Sequence, residues 1–419
     1  MNSLITCRIK PYIQPFERKL ALRELGALSH DKPRPIPAIE EDVQCFRVTS
    51  RATPRLLARE LAFWEAVCEG RTLTTIQSLR EATVSVVRNG ISPEALASKL
   101  PFKGEVPLPN RRCLRYGTHG LHEYRGKFFP QLVRSFINIA NVPENGIVAD
   151  PFCGSGTTSV EAIMSKRKSL GLDMNPLSVF MAQTKCRILG VRFNALEKAY
   201  LEVRSALLTP RNQKKSQSWI SRLPQVDREY LGDWFDGAIL DELDEIASCV
   251  ETRTRGAIKD FMFLCLSNIL RRVSWQKLDD LRVRRELKSV DEIDPVKEFL
   301  EELGRSVRLV LALLRQEGHL ASVHPEITEG DSKQLAQQWV KWKNKVDVVI
   351  TSPPYATALP YLDTDRLSLS FLGLLARNEH RERDQDMIGN REITDKLKRN
   401  LSGTTFLRGN TACRIQWAI

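Results

Sequence analysis

Apolar positions divide the chain into stretches of two periods. Short β-branched or apolar runs that end on a turn predict strands at Gly146-Ile147-Val148-Ala149, Ser169-Leu170-Gly171-Leu172-Asp173 and Val346-Asp347-Val348-Val349-Ile350. A further strand is expected at Ala321-Ser322-Val323. Helical spacing predicts helices at 16–25, at 131–137 and at 159–164. Thr53-Pro54 opens another, running through Leu57, Leu61, Phe63 and Val67, with proline in the first turn where helices accept it. Later helical faces are marked by Ile239, Leu240, Leu243 and Ile246, and by Phe261, Met262, Cys265, Leu266 and Ile269. A third carries Leu300, Leu303, Val307, Val310 and Leu311, with Gly318 as its stop. The pattern reads as four parts: a mostly helical region 1–110, an α/β segment 111–196, a helical insertion 197–318, and a second α/β segment 319–419. Asp31-Lys32-Pro33-Arg34-Pro35-Ile36-Pro37 is too proline-rich for helix. Phe63-Trp64 reads as core, with a stacking platform for bases as the alternative.

Two turns carry the chemistry. Asp150-Pro151-Phe152-Cys153-Gly154-Ser155-Gly156-Thr157-Thr158 stands between a strand and a helix, the geometry that brings backbone amides to a nucleotide-like ligand. It lacks the Lys-Ser/Thr ending of a P-loop and the GxGxxG spacing of a dinucleotide fingerprint. Asp173 closes the next strand, the place from which a carboxylate offers two acceptor oxygens to a vicinal diol; the other reading is a helix N-cap. The second turn is Thr351-Ser352-Pro353-Pro354-Tyr355 behind the 346–350 run, where two prolines fix φ and leave carbonyls free to accept.

Together the two turns resemble motifs I and IV of the amino-methylating DNA methyltransferases, whose catalytic signature is (D/S)PP(Y/F). His119-Gly120-Leu121-His122-Glu123-Tyr124-Arg125-Gly126-Lys127-Phe128-Phe129-Pro130 is similar to motif X, with Arg125 where the relatives' pattern places proline. The resemblance covers 115–185 and 320–395. It implies a Rossmann-like α/β sheet that binds S-adenosylmethionine, with an N-terminal helical region and a helical insertion. Cofactor contacts would come from His122, Tyr124, Lys127, Phe128, Asp150, Phe152, Gly154, Gly156, Thr157 and Asp173. Asp331, in the Gly330-Asp331-Ser332 turn, would stand at the motif III position against the adenine. The serine form of the signature points to the N4 amine of cytosine. Ser352 Oγ and the Pro353 carbonyl would accept from the amine, Pro354 would stiffen the turn, and Tyr355 would stack on a flipped-out base. No metal is needed, because the cofactor already carries the reactive methyl.

Charge adds a partner. Lys+Arg number 63 and Asp+Glu 51, a net +12 that favours a polyanion such as double-stranded DNA. Arg271, Arg272, Trp275, Lys277 and Arg282 suit phosphate contacts with one aromatic stack; the alternative is a solvated helix face partly balanced by Asp279, Asp280 and Glu286. Nine cysteines without CxxC or zinc spacing read as reduced thiols. No apolar run reaches membrane-spanning length, and the start lacks a signal-peptide pattern, so a cytoplasmic, nucleoid-associated protein is expected. A restriction endonuclease is the expected functional partner. The chain ends 64 residues past Tyr355, without the closing strands that the resemblance implies, which suggests a shortened enzyme. Three functions stay open: cytosine-N4 transfer, adenine-N6 transfer, or a non-catalytic DNA- or cofactor-binding relative.

Overall fold

The computed structural model describes residues 3–37, 44–104, 106–124, 126–209, 218–278, 284–287, 293–318, 320, 325–354 and 362–388. Its first region is not the mostly helical layer that the spacing predicts. The elements are β1 (Ser3–Ile9), α1 (Pro15–Ser29), β2 (Arg34–Ile36), β3 (Cys45–Ser50), α2 (Pro54–Glu60), β4 (Trp64–Glu69) and β5 (Arg71–Thr74). The five strands form an antiparallel sheet in the order β2-β3-β1-β4-β5. Ile5, Cys7 and Ile9 alternate inward and meet Phe46 and Val48 of β3 and Leu20 and Leu25 of α1. Thr53 caps α2 by accepting from the Leu56 amide at 3.2 Å, as its hydroxyl suits. The helix stops at Glu60, and Phe63 to Val67 leave it to enter β4. The same apolar residues serve either period, and pairing of β4 with β1 and β5 decides between them. Phe63 and Trp64 are core, as one of the two readings has it.

Helices α3 (Ile76–Val86), α4 (Pro93–Lys99) and α5 (Pro130–Ile139) lead into the second sheet. There β6 (Ile147–Asp150), α6 (Thr157–Met164), β7 (Lys168–Asp173) and α7 (Pro176–Arg187) alternate. The helical stretch follows as α8 (Phe193–Leu208), α9 (Gln225–Trp234), α10 (Gly237–Arg253), α11 (Gly256–Val273) and α12 (Pro295–Glu317). Its apolar faces share one core, and Gly318 ends α12 at φ 80°, as its position predicts. The chain returns as β8 (Glu326–Glu329), α13 (Leu335–Gln338), β9 (Val348–Val349), α14 (Arg366–Phe371) and α15 (His380–Asp386). The strand expected at 321–323 lies outside the described residues.

Strands β8-β7-β6-β9 form a parallel sheet in that order. All four residues of β6 are buried, as befits a strand covered on both faces. Strand β9 is held to it by the Ile147 amide, which donates to Asp347 Oδ2 at 2.7 Å, and by the Ile350 amide, which donates to the Ala149 carbonyl at 2.9 Å. Buried ion pairs and hydrogen bonds join the two sheets. Arg167 Nη1 meets Glu60 at 2.8 Å, and Asn138 Nδ2 donates to buried Glu24 at 2.9 Å. Among the described residues no helix is long and apolar enough to cross a membrane.

Candidate active site

Asp150 ends β6, Asp173 ends β7, and Ser352 follows β9, so all three stand at the carboxyl edge of the parallel sheet. Crevices outside that edge are where open α/β sheets bind ligands. A cleft of about 850 Å³, a volume that includes open solvent, lies there. Its lining includes Asp150, Phe152, Gly154, Thr157, Asp173, Ser352, Pro353 and Pro354. Thr351 Oγ1 donates to Asp150 Oδ1 at 2.7 Å, tying the two turns together across 201 positions of sequence. Tyr355 lies outside the described residues.

The glycine turn is held from inside. The Phe152 amide donates to Asp150 Oδ1 at 3.1 Å, and the Gly154 amide to Asp173 Oδ2 at 2.8 Å. Gly154 and Gly156 have φ of 47° and 82°, in the left-handed region. A Cβ on Gly156 would stand 2.6 Å from Ala182 Cβ, so this glycine lets α6 and α7 close behind the loop. It is therefore not in the lining. Asp173 Oδ1 accepts from the Asn175 amide at 2.9 Å, while the cap of α7 is Asn175, whose Oδ1 accepts from Leu177 N at 3.0 Å. The Met174 amide also bonds this carboxylate, and three amides leave acceptor capacity on it for a ligand hydroxyl. Burial pushes both Asp150 and Asp173 up to about 6, against hydrogen bonds that favour the charged form.

The 119–130 segment crosses the cleft with Tyr124, Lys127 and Phe128 in the lining. Tyr124 packs on Gly154, where a Cβ would meet the phenol oxygen at 2.9 Å. Lys127 Nζ donates to the His119 carbonyl at 2.5 Å, and burial pulls its ammonium down to about 8. His122 is not brought to the cleft. Its ring stands 2.6 Å from the Glu123 carbonyl and 3.1 Å from Ser267 Oγ, facing an adjoining cavity, and burial pushes it down to about 4. Asp331 is not in the lining either. It accepts from the Lys333 amide at 2.9 Å and caps a short turn, leaving Gly330 and Ser332 against the cleft.

Several cleft and loop-supporting residues have no place among the sequence candidates. Cys153, Ser155, Met174 and Asn175 line the cleft beside their chosen neighbours. Lys185 is buried on α7 and donates to the Ser155 carbonyl at 3.0 Å, under the loop. Glu161 is buried on α6. Both have one sequence signal: a charged residue on the core face of a helix, among Met181, Ala182 and Cys186 or Val160, Ala162 and Ile163.

Arg271 and Arg272, at the end of α11, line the cavity that His122 faces and that shares Tyr124 with the cleft. Arg272 meets Glu298 at 3.1 Å and Glu302 at 3.7 Å, so acidic residues of α12 partly balance it. The guanidinium of Arg285 lies 4.5 Å from the centre of the Trp275 ring and covers one of its faces. Lys277 is exposed, its amide donating to the Arg284 carbonyl at 2.9 Å. Arg282, Asp279 and Asp280 lie outside the described residues.

Residues 108–183 match the profile of the N6/N4 DNA methylases. The chain is 29% identical over 297 residues to the Type II methyltransferase M.MvaI of Kocuria varians, covering 67% of this chain and 63% of that protein. It is 25% identical over 330 residues to the Type II methyltransferase M.BsoBI of Geobacillus stearothermophilus, covering 70% and 61%. A 92-residue stretch is 42% identical to the Type II methyltransferase M.MjaII of Methanocaldococcus jannaschii, covering 22% and 17%. The matched region thus spans less than two thirds of each relative. These likenesses support an N4/N6 DNA methyltransferase family, and the α/β architecture with its parallel sheet is consistent with the S-adenosylmethionine-dependent fold.

Proposed function

We propose that this protein is a DNA methyltransferase that moves a methyl group from S-adenosylmethionine to the N4 amine of a flipped-out cytosine. The observation that carries the reading is the convergence of the glycine turn and Ser352-Pro353-Pro354 on one cleft, joined by the Thr351–Asp150 hydrogen bond.

The residues present suit the cofactor. The Asp173 carboxylate matches a ribose diol, the loop backbone admits close approach at Gly154, and Phe128, Phe152 and Pro151 offer apolar surface. When bound, S-adenosylmethionine supplies an activated methyl group. The protein's part is to bind, orient and accept hydrogen bonds. An exocyclic amine is a weak nucleophile because its lone pair is delocalised into the ring. Ser352 Oγ and the Pro353 carbonyl accept its N–H groups and favour the pyramidal nitrogen on which positive charge develops. Tyr355 stacks on the base, an interaction of about 1–3 kcal/mol in other aromatic–base contacts. A base inside a duplex cannot reach this turn, so the target nucleotide is extruded.

The serine at the head of the turn favours cytosine over adenine. Arg271 and Arg272, which line the adjoining cavity, contact phosphates together with Lys277 and Arg282, and Trp275, on which Arg285 stacks, supplies the aromatic contact. In a restriction–modification setting the functional partner would be a cognate restriction endonuclease. The test is mass spectrometry of nucleosides from DNA incubated with the protein and S-adenosylmethionine. N4-methylcytosine is the expected product. N6-methyladenine would move the reading to the other base, and no mark from a folded, cofactor-binding protein would overturn it.

A further inference from the structure

We infer that Glu161 is a positioning residue that clamps both ends of the segment lying over the cofactor cleft. The inference rests on the proposed function only in naming the ligand; the clamp itself is a matter of geometry. Glu161 sits on α6, the helix that begins where the glycine turn ends, and its carboxylate is fully buried. Oε1 accepts from the Tyr116 hydroxyl at 2.5 Å and stands 2.9 Å from His119 Nε2. Oε2 accepts from Arg134 Nε at 2.8 Å. Tyr116 and His119 precede the segment that carries Tyr124, Lys127 and Phe128 into the cleft, and Arg134, on α5, follows it. One carboxylate therefore holds the entry and the exit of the same stretch.

A third tie closes the arrangement. Lys127 Nζ donates back to the carbonyl of His119, so the cleft-lining lysine hangs from a residue that Glu161 fixes. Packing reinforces the entry, because a Cβ on Gly117 would stand 2.6 Å from Leu313 Cδ2 of α12. Burial disfavours a charged Glu161, yet Arg134 and the His119 hydrogen bond hold it down at about 2. The carboxylate is thus an acceptor with all its partners in place, rather than a proton carrier. Nothing in the proposed transfer calls on it directly. Its effect reaches the cleft through the main chain of the 120–129 stretch.

The test compares Tyr116→Phe and Glu161→Gln with the unaltered protein. Tyr116→Phe removes the bond to Glu161 and a weaker 3.4 Å one to Gln77, and leaves the Arg134 pair, so it keeps the fold if Glu161→Gln does not. Amide hydrogen exchange is measured without ligand, and S-adenosylhomocysteine affinity by calorimetry. Faster exchange confined to 120–129, with α5 and α6 still protected, is expected. Affinity should fall about tenfold, the size of losing one charge-assisted hydrogen bond. Unchanged exchange in 120–129, or loosening spread evenly through α5 and α6, overturns the clamp. If the unaltered protein binds no S-adenosyl compound, the functional reading fails and the exchange result still decides the clamp.

Discussion

The two sheets bury themselves in different ways, and only one leaves room for a ligand. The antiparallel sheet has one face on α1 and α2 and carries half-exposed Thr6, Arg8 and Thr49 on the other. Its paired strands run in opposite directions, so their carboxyl ends are divided between two edges. The parallel sheet buries its central strands β6 and β7, and crossover connections put every strand's carboxyl end on the same side. Asp150, Asp173 and Ser352 meet there because parallel strands deliver their ends together. The candidate cleft is a consequence of that connectivity, and the region of the antiparallel sheet packs beside it through the Arg167–Glu60 and Asn138–Glu24 bonds.

If that contrast is right, the seam between the sheets should matter most for stability. Arg167→Ala takes the 2.8 Å partner from one Glu60 oxygen while Arg59 stays at 2.7 Å on the other, and losing such a charged hydrogen bond costs about 1.5–3 kcal/mol. Chemical unfolding should show it, and deleting the exposed Lys198–Glu202 pair should change the midpoint little. An equal, small effect for both would mean that the seam is not coupled. Ser352→Ala, at the functional edge, should leave unfolding unchanged and lower methyl transfer by about a hundredfold or more, as for lost donors or acceptors at a transition state. A rate near that of the unaltered protein would remove Ser352 from the chemistry.

Proton linkage gives a smaller effect at the same edge. If Asp173 holds the ribose as proposed, binding needs its ionised form, so affinity should weaken as pH falls through about 6, by about tenfold per unit at most. The contribution to unliganded stability has the opposite sign. A raised folded value means that the folded state holds the proton more tightly. That contribution is complete below the ordinary carboxylate value and is lost as pH rises through about 6. Asp150 titrates in the same window, so the comparison is with Asp173→Asn, whose calorimetric pH profile should be flatter. Identical slopes would remove Asp173 from the binding site. Least of all, Thr53→Ala in the supporting region should cost about 1 kcal/mol by removing a helix cap, with transfer unaffected.

Local sequence determined β6 and β7 to within a residue, whereas β8 (Glu326–Glu329) was not expected and β9 pairs over only two of the five residues of its run. The runs at 146–150 and 169–173 are strands because they are apolar, short and closed by turn residues, and the glycines at 154 and 156 stand where φ is positive. The turn at Ser352 was legible for the same reason, as was its pairing with the glycine loop through a known family's motifs. Five antiparallel strands in the first region were not legible, since Phe63 and Val67 satisfy a helical and an extended period alike. Partners distant in sequence chose between them. His122 and Asp331 were placed by motif position, yet the direction of a side chain depends on what packs around it. Ser267 took the His122 ring, and the Lys333 amide took the Asp331 carboxylate. Sequence alone determined which strands end in chemistry, because periodicity and turn residues act over a few positions. Tertiary structure alone decided which side chains reach the cleft and that Glu161 holds the segment above it, because burial and hydrogen bonding join residues that the chain keeps far apart.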